Sequence, residues 1–73
     1  MSVARVTEIS VISSTSFEDA VKEGIARVTK TLRNVRSAWV KEQRVLIVDN
    51  RITGWEVNLL VTFVLEDGEN AGS

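Results

Sequence analysis

The second half of this chain decides its fold, and it reads VRSAWVKEQRVLIV over residues 35–48, DNRITG over 49–54 and WEVNLLVTFVLE over 55–66. The two long runs are rich in β-branched residues and alternate between apolar and polar positions, the pattern of strands whose side chains point to opposite faces of a sheet. The short segment between them is typical of a tight turn. We therefore predict a long β-hairpin from about Val35 to Leu65.

The second strand of this hairpin has two different faces. Its odd positions are all apolar and predict a core face: Val57, Leu59, Val61, Phe63 and Leu65. Its even positions mix apolar and polar side chains: Glu56, Asn58, Leu60, Thr62 and Val64. Across the hairpin, we expect the mixed face to continue with Ser37, Trp39, Lys41 and Gln43. This face is too apolar for plain solvent surface and too polar for a core, so it predicts a binding site or an interface.

Three residues predict the geometry of the hairpin connection. Asp49 and Asn50 both tolerate positive φ, which favours a tight turn between the two strands. Gly54 favours a bulge where the second strand of the hairpin begins.

The first half of the chain predicts one strand and one helix. Residues 3–12 (VARVTEISVI) are rich in Val, Ile and Thr and predict a strand. Ser16 is suited to be the N-cap of a helix that begins near Phe17, and we expect this helix to end near Arg33 with Asn34 as its C-cap. Apolar residues recur at the spacing of one helix face: Phe17, Ala20, Val21, Ile25, Val28 and Leu32.

Two further residues of this helix have a specific structural meaning. Asp19 stands three residues after Ser16, which is a weak form of the capping box. Gly24 lies within the apolar stripe, where it costs about 1 kcal/mol of helix stability relative to Ala. We therefore expect Gly24 to allow a close approach of the helix to the sheet.

The order strand, helix, strand, strand limits the topology. A right-handed helical crossover makes the first two strands parallel, and the last strand fits between them, antiparallel to both. The sequence thus predicts an α+β fold of β-α-β-β order, with a three-stranded antiparallel sheet in the order 1-3-2 wrapped on one helix. One helix covers one face of the sheet, so the other face needs a partner. In a symmetric homo-oligomer that partner is a second copy of the chain.

Size and composition restrict the function. The chain has 73 residues, enough for one domain over 1–73, and a chain this short hides only about 60% of the surface that its unfolded form exposes. It contains no Cys and no His, which removes disulfides, thiolate or imidazole metal sites and catalysis by Cys or His. Association is the remaining source of stability. We therefore expect an oligomer that is not an enzyme.

Charge and hydropathy restrict the partners. The formal net charge is −1, with nine basic and ten acidic residues, which gives no general attraction to nucleic acid or anionic lipid. The N-terminus MSVARVTEIS lacks a basic segment followed by an apolar run, and no stretch approaches the roughly 18 apolar residues of a membrane helix. We expect a soluble, cytoplasmic protein without nucleic-acid or membrane partners. We expect the polar residues 68–73 to be a disordered tail.

Four segments, in this order, resemble one known family. They are STSFEDA at the predicted helix start (14–20), LRNVR at its end (32–36), EQR in the hairpin (42–44) and FVLED near the C-terminus (63–67). Together they make the chain similar to the dodecins, very small flavin-binding proteins that assemble as homododecameric hollow shells. The resemblance covers roughly residues 3–67 without an obvious gap.

The resemblance implies a ligand and its contacts. The implied ligand is a flavin (riboflavin, FMN or FAD), bound at subunit interfaces by a Trp that stacks on the ring and a Gln that hydrogen-bonds its polar edge. In this chain Ser37 stands at the position of the Trp and Glu56 at the position of the Gln. Trp39 lies on the same face as Ser37, about 6 to 7 Å further along the strand, where it can replace the missing stacking residue.

We predict no catalytic residue, no metal ligand and five ligand-binding residues: Ser37, Trp39, Gln43, Arg44 and Glu56. Structural alternatives stay open, with Trp39 as a buried interface residue and Glu56 as the ion-pair partner of Lys41 or Arg44. The alternative function is a dodecin-fold shell that does not bind flavin and serves as a scaffold, or holds another small ligand or metal ions. Carboxylates that could suit Ca²⁺ or Mg²⁺ at a symmetry axis are Glu42, Glu56, Glu66 and Asp67.

Overall fold

The computed structural model of this chain describes residues 3–65. The predicted tail at 68–73 lies outside these residues. No helix within the described range is long and apolar enough to cross a membrane.

The described residues form a three-stranded sheet and a helix. Strand β1 spans Ala4–Ser13, helix α1 spans Phe17–Val28, and the hairpin strands β2 and β3 span Val35–Val48 and Arg51–Val64. Strand β3 lies in the centre of the sheet, antiparallel to both neighbours, so the strand order is β1-β3-β2. The predicted β-α-β-β fold, with β1 parallel to β2, is confirmed.

The core lies between α1 and the sheet. Val57, Leu59 and Val61 of the central strand are completely buried, and Ala20 and Val28 are the buried helix residues that pack with them. Partly buried side chains surround this cluster: Ile9, Val11, Phe17, Val21, Ile25, Leu32 and Val35. The alternation in β3 therefore selects the face that the helix covers, as predicted.

The predicted core face becomes more open towards its C-terminal end. Phe63 is half-buried and Leu65 is exposed. Leu65 follows Val64, the last residue of β3. The buried part of this face is therefore the middle of the central strand.

The helix begins where the sequence predicts, and its N-terminus is held by two serines. The Ser16 hydroxyl accepts the backbone N–H of Asp19 at 2.9 Å, as an N-cap does. The buried Ser13 hydroxyl donates to the Asp19 carboxylate at 2.8 Å and accepts the backbone N–H of Thr15 at 2.9 Å. Asp19 is therefore held by Ser13 rather than by the reciprocal bond of a capping box.

The helix ends earlier than predicted, at Val28 instead of near Arg33. Thr29 follows, and its hydroxyl donates to the backbone carbonyls of Ile25 and Ala26 at 2.8 and 3.1 Å. The next two backbone N–H groups bond to carbonyls three residues back, which tightens the last turn. The predicted end near Arg33 was wrong because the apolar spacing continues to Leu32, whereas the Thr29 hydroxyl already bonds the last carbonyls of the helix.

Asn34 is not the C-cap of the helix. Its φ of 61° places it in the left-handed region, which Asn tolerates better than most residues. Its carbonyl accepts the backbone N–H of Val64 at 3.1 Å. Asn34 therefore turns the chain into β2 and ties this turn to the end of the central strand.

The hairpin connection is a two-residue turn at Asp49 and Asn50. Their φ values of 52° and 64° are both positive, as a type I′ turn requires. The register shifts between the pair Gly54 and Leu46 and the pair Ile47 and Ile52, so a bulge lies beside Gly54. Both predictions for this connection are confirmed.

Candidate functional site

The sheet face opposite α1 carries the candidate site, and we call it the open face. It consists of the residues that alternate with the core positions of β1 and β3, together with their neighbours on β2. On β1 these residues are Val6, Glu8, Ser10 and Ile12, and on β3 they are Glu56, Asn58, Leu60, Thr62 and Val64. On β2 they are Ser37, Trp39, Lys41, Glu42, Arg44 and Leu46.

A bulge in β2 changes which predicted residues reach the open face. The register shifts between Val40 and Glu42, so the strand contains one extra residue at Lys41. One extra residue reverses the alternation beyond it. Arg44 therefore pairs with Glu56, and Gln43 pairs with the core residue Val57. The prediction that Gln43 shares a face with Trp39 was wrong for this reason.

Glu56 is the centre of a polar network on the open face. Its side chain is only 21% exposed, and Arg44 places Nε 3.6 Å from Glu56 Oε1. The Ser10 hydroxyl donates to Glu56 Oε2 at 3.0 Å. Glu42 Oε1 accepts both Arg44 Nη2 and Asn58 Nδ2 at 3.2 Å. The network thus connects all three strands, and Glu56 has Arg44 of its own chain as its cation.

A second ion pair crosses the sheet beside this network. Lys41 Nζ lies 3.4 Å from Glu8 Oε2, and both side chains are about half exposed. Exposed pairs of this kind add little stability. With Glu42, Glu56 and Arg44, the open face carries three carboxylates against two cations. It is therefore slightly acidic.

Trp39 is an exposed aromatic surface on the open face. Its side chain is 67% exposed and it pairs with the half-buried Leu60. Ser37 pairs with Thr62 and is also exposed, so Ser37 and Trp39 share one face. Leu60 lies four residues from Glu56 on β3, which separates the aromatic and the carboxylate by about 13 Å. One chain therefore does not bring them together.

Three polar residues of the network are not among the five predicted ligand-binding residues: Ser10, Glu42 and Asn58. Alternation along β1 could have placed Ser10 on the open face, because Ser10 lies between the core-facing residues Ile9 and Val11. The position of Glu42 depends on the bulge at Lys41, which period-two alternation does not predict.

Among the described residues, ten large apolar side chains are exposed: Val3, Val6, Ile12, Trp39, Val40, Val45, Ile47, Val48, Ile52 and Leu65. Most of them lie on the hairpin, because α1 packs on β1 and β3. Exposed apolar surface of this extent marks an interaction site. The hairpin is therefore the part of the chain that most needs a partner.

A groove lies between α1 and β1. It has a volume of about 330 Å³ and is lined by residues of both elements, including Ser10, Glu23 and Arg27. None of the five predicted ligand-binding residues lines it.

The acidic residues of the described range do not gather as metal ligands. Within residues 3–65, no three acidic side chains come close enough together to hold an ion. Of the carboxylates considered for Ca²⁺ or Mg²⁺, Glu66 and Asp67 lie outside this range.

The fold defines a class of very small β-α-β-β proteins in which one helix covers one face of a three-stranded sheet. The sequence model of the Dodecin family matches residues 3–66. The chain belongs to the dodecin family.

Solved structures of dodecins superpose closely on this chain. The dodecin from Streptomyces davaonensis is 33% identical with a TM-score of 0.84, and the match covers 90% of this chain and 97% of that one. A variant of the Thermus thermophilus dodecin is 33% identical with a TM-score of 0.85, covering 92% of this chain and 98% of that one.

A third structure shows a different ligand within the family. It is calcium dodecin, a calcium-chelating antigen from Mycobacterium tuberculosis that is described with a novel calcium-binding site. It is 27% identical with a TM-score of 0.78, and the match covers 92% of this chain and 96% of that one. A comparison with curated protein sequences found no match.

Proposed function

We propose that this dodecin assembles as a homododecameric hollow shell and stores a small flat ligand, a flavin or a related ring, where copies of the open face meet. Trp39 is the stacking surface, and Ser37 is the small residue that leaves room beside it. Glu56, held by Arg44, is the polar contact to the ring edge. Gln43 lies on the other side of the sheet, so we assign it to contacts between subunits.

The observation that carries this proposal is the exposure of Trp39. Its indole is 67% exposed next to Leu60, on the face that the helix does not cover. An aromatic side chain gains on the order of 1 kcal/mol from stacking on another ring, beyond the burial of its area. A flat ligand at a junction of two copies also accounts for the distance between Trp39 and Glu56, because each copy supplies one of them.

A shell that does not bind flavin is the second candidate, and the surroundings of Glu56 favour it. Its carboxylate accepts from Ser10 and lies beside the Arg44 guanidinium. It would repel the carbonyl oxygens of a flavin edge, and Ser37 provides no stacking. In this case the shell is a scaffold or holds another small ligand or metal ions, as calcium dodecin chelates calcium.

Both candidates are binding proteins and not enzymes, with further copies of the chain as the protein partner. Neither requires a nucleic acid or a membrane. The cytoplasmic location stays a prediction.

Light scattering with absorbance near the flavin band tests assembly and cargo together. We expect a mass of about twelve times the 8.1 kDa chain, and quenching of riboflavin fluorescence at micromolar protein. Trp39→Ala should weaken binding about fivefold, which corresponds to roughly 1 kcal/mol of stacking. Trp39→Phe is the control, because it keeps an aromatic ring.

The outcomes separate the two candidates. Undiminished riboflavin fluorescence with a full-sized shell would contradict flavin binding and favour the second candidate. Flavin at stoichiometric amounts in the freshly purified protein would exclude the second candidate.

A further inference from the structure

We propose that the open face prefers a ring with two adjacent N–H donors, the edge of a 2-amino-4-oxopyrimidine as in pterins and guanine, over the imide edge of a flavin. This inference rests on the proposed function, since it names the ligand class of the same site. It is drawn from the hydrogen-bonding capacity of Glu56.

Glu56 has two oxygens with unused acceptor capacity. An ionised carboxylate only accepts, with about two lone pairs on each oxygen. The Ser10 hydroxyl occupies one direction at Oε2, at 3.0 Å, and Arg44 Nε lies on one side of Oε1, at 3.6 Å. One lone pair therefore remains on each oxygen. In contrast, Glu42 already accepts two donors on a single oxygen, from Arg44 and Asn58.

Burying the unused acceptor sites of Glu56 against a group that donates no hydrogen bond would destabilise a complex. Its side chain is 21% exposed, against 54% for Glu42 and 47% for Glu8 on the same face. A ligand or a second copy on the open face removes the remaining water from Glu56. Acceptors that lose water without gaining donors destabilise the complex. A partner that donates two hydrogen bonds side by side avoids this loss.

The two kinds of ring edge differ in what they offer to a carboxylate. A flavin imide presents one N–H between two carbonyl oxygens, so any second contact with the carboxylate is repulsive. A 2-amino-4-oxopyrimidine presents a ring N–H next to an amino group, and these two donors are spaced to meet the two carboxylate oxygens.

Pterin and lumazine provide a matched test on the assembled wild-type protein. Both are fluorescent pteridines with the same fused ring, and they differ in the 2-substituent, which is an amino group in pterin and an oxo group in lumazine. Titrations would follow the fluorescence of each ring at a pH where both are neutral. We expect pterin to bind about tenfold more tightly, a difference that corresponds to roughly 1.4 kcal/mol.

Two variants assign the preference to one side chain. Glu56→Gln presents one donor and one acceptor, so the preference for pterin should vanish or reverse. Glu8→Gln is the control, because it removes the same charge from the same face and should leave the ratio of the two affinities unchanged. Light scattering on each variant verifies that it assembles.

Each outcome decides a different question. Lumazine binding as tightly as pterin, or more tightly, overturns the inference while the proposed function stands. Absence of binding by both rings and by riboflavin overturns the proposed function as well. A preference for pterin that survives in assembled Glu56→Gln overturns the role of Glu56.

Discussion

At the scale of single residues, Gly24 sets the distance between the helix and the sheet. A Cβ atom at this position would lie 2.7 Å from Val11 Cγ2 and 3.3 Å from Leu59 Cδ1. The first distance is shorter than packed carbon atoms allow, since their optimal separation is about 3.5 to 4.0 Å. The predicted close approach is therefore confirmed, and Val11 is the side chain that it brings closest.

Gly24→Ala should destabilise the protein although Ala is the better helix former. Helix propensity favours Ala by about 1 kcal/mol, while overpacking a core costs typically about 1 to 3 kcal/mol. We expect a lower midpoint of thermal unfolding, measured at equal chain concentration because association affects it.

Val11→Ala is the partner substitution for this test. It removes the Cγ2 atom that the new methyl group would meet. The double variant Gly24→Ala with Val11→Ala should therefore be more stable than the sum of the two single effects predicts. Additive effects would show that Val11 is not the source of the strain.

At the scale of elements, the hairpin is defined by a turn with two residues in the left-handed region. Asp49 and Asn50 have φ values of 52° and 64°. Such a turn matches the twist of the strands that it connects. It fixes the pairing of Val48 with Arg51, and with it the start of the register of the whole hairpin.

Asn50→Val should destabilise the hairpin, because a β-branched residue is strained at positive φ. The left-handed conformation costs an ordinary residue roughly 1 to 2 kcal/mol. Asn50→Gly is the matched control and should be neutral or stabilising, since glycine adopts this conformation freely. Thermal unfolding of both variants measures the difference. Equal midpoints would mean that the turn tolerates an alternative geometry.

The bulge at Lys41 shows how an element controls the site. Simple alternation along β2 predicts that Trp39 and Gln43 share a face, and the extra residue replaces Gln43 by Arg44 beside Glu56. The ion pair between Arg44 and Glu56 follows from this reversal. Pairing with β3 determines where the extra residue lies. The sequence of β2 therefore indicates which residues are site candidates better than it indicates which face of the sheet each of them is on.

At the scale of the whole molecule, a single helix is too short to cover one face of this sheet completely. The hairpin strands are 14 residues long, whereas α1 has 12 residues and packs on β1 and β3. The described chain extends over 56 Å in its longest direction and 13 Å in its shortest. A shape this flat leaves most of β2 exposed, where contacts with other copies lie in the proposed shell.

Ile47→Glu should reduce the size of the assembly. Ile47 is 60% exposed near the hairpin end, and in the proposed shell a charge there would be buried against another copy. Light scattering should report a mass well below that of the wild type. Ala26→Glu is the control, because it places the same charge on an exposed helix position and should leave the mass unchanged. A full-sized shell with Ile47→Glu would exclude this part of the hairpin from the contacts.

The sequence by itself determined the element order, the sheet order, the helix start, the turn at Asp49 and Asn50 and the buried face of β3. These features depend on local periodicity and on residues with particular backbone preferences, which a sequence displays directly. Only the tertiary structure decided that the helix ends at Val28, that Lys41 is an extra residue in β2 and that Arg44 rather than Gln43 accompanies Glu56. These features depend on contacts between segments far apart in the chain. One extra residue in a strand reverses every side chain beyond it, and pairing with β3 determines where that residue lies.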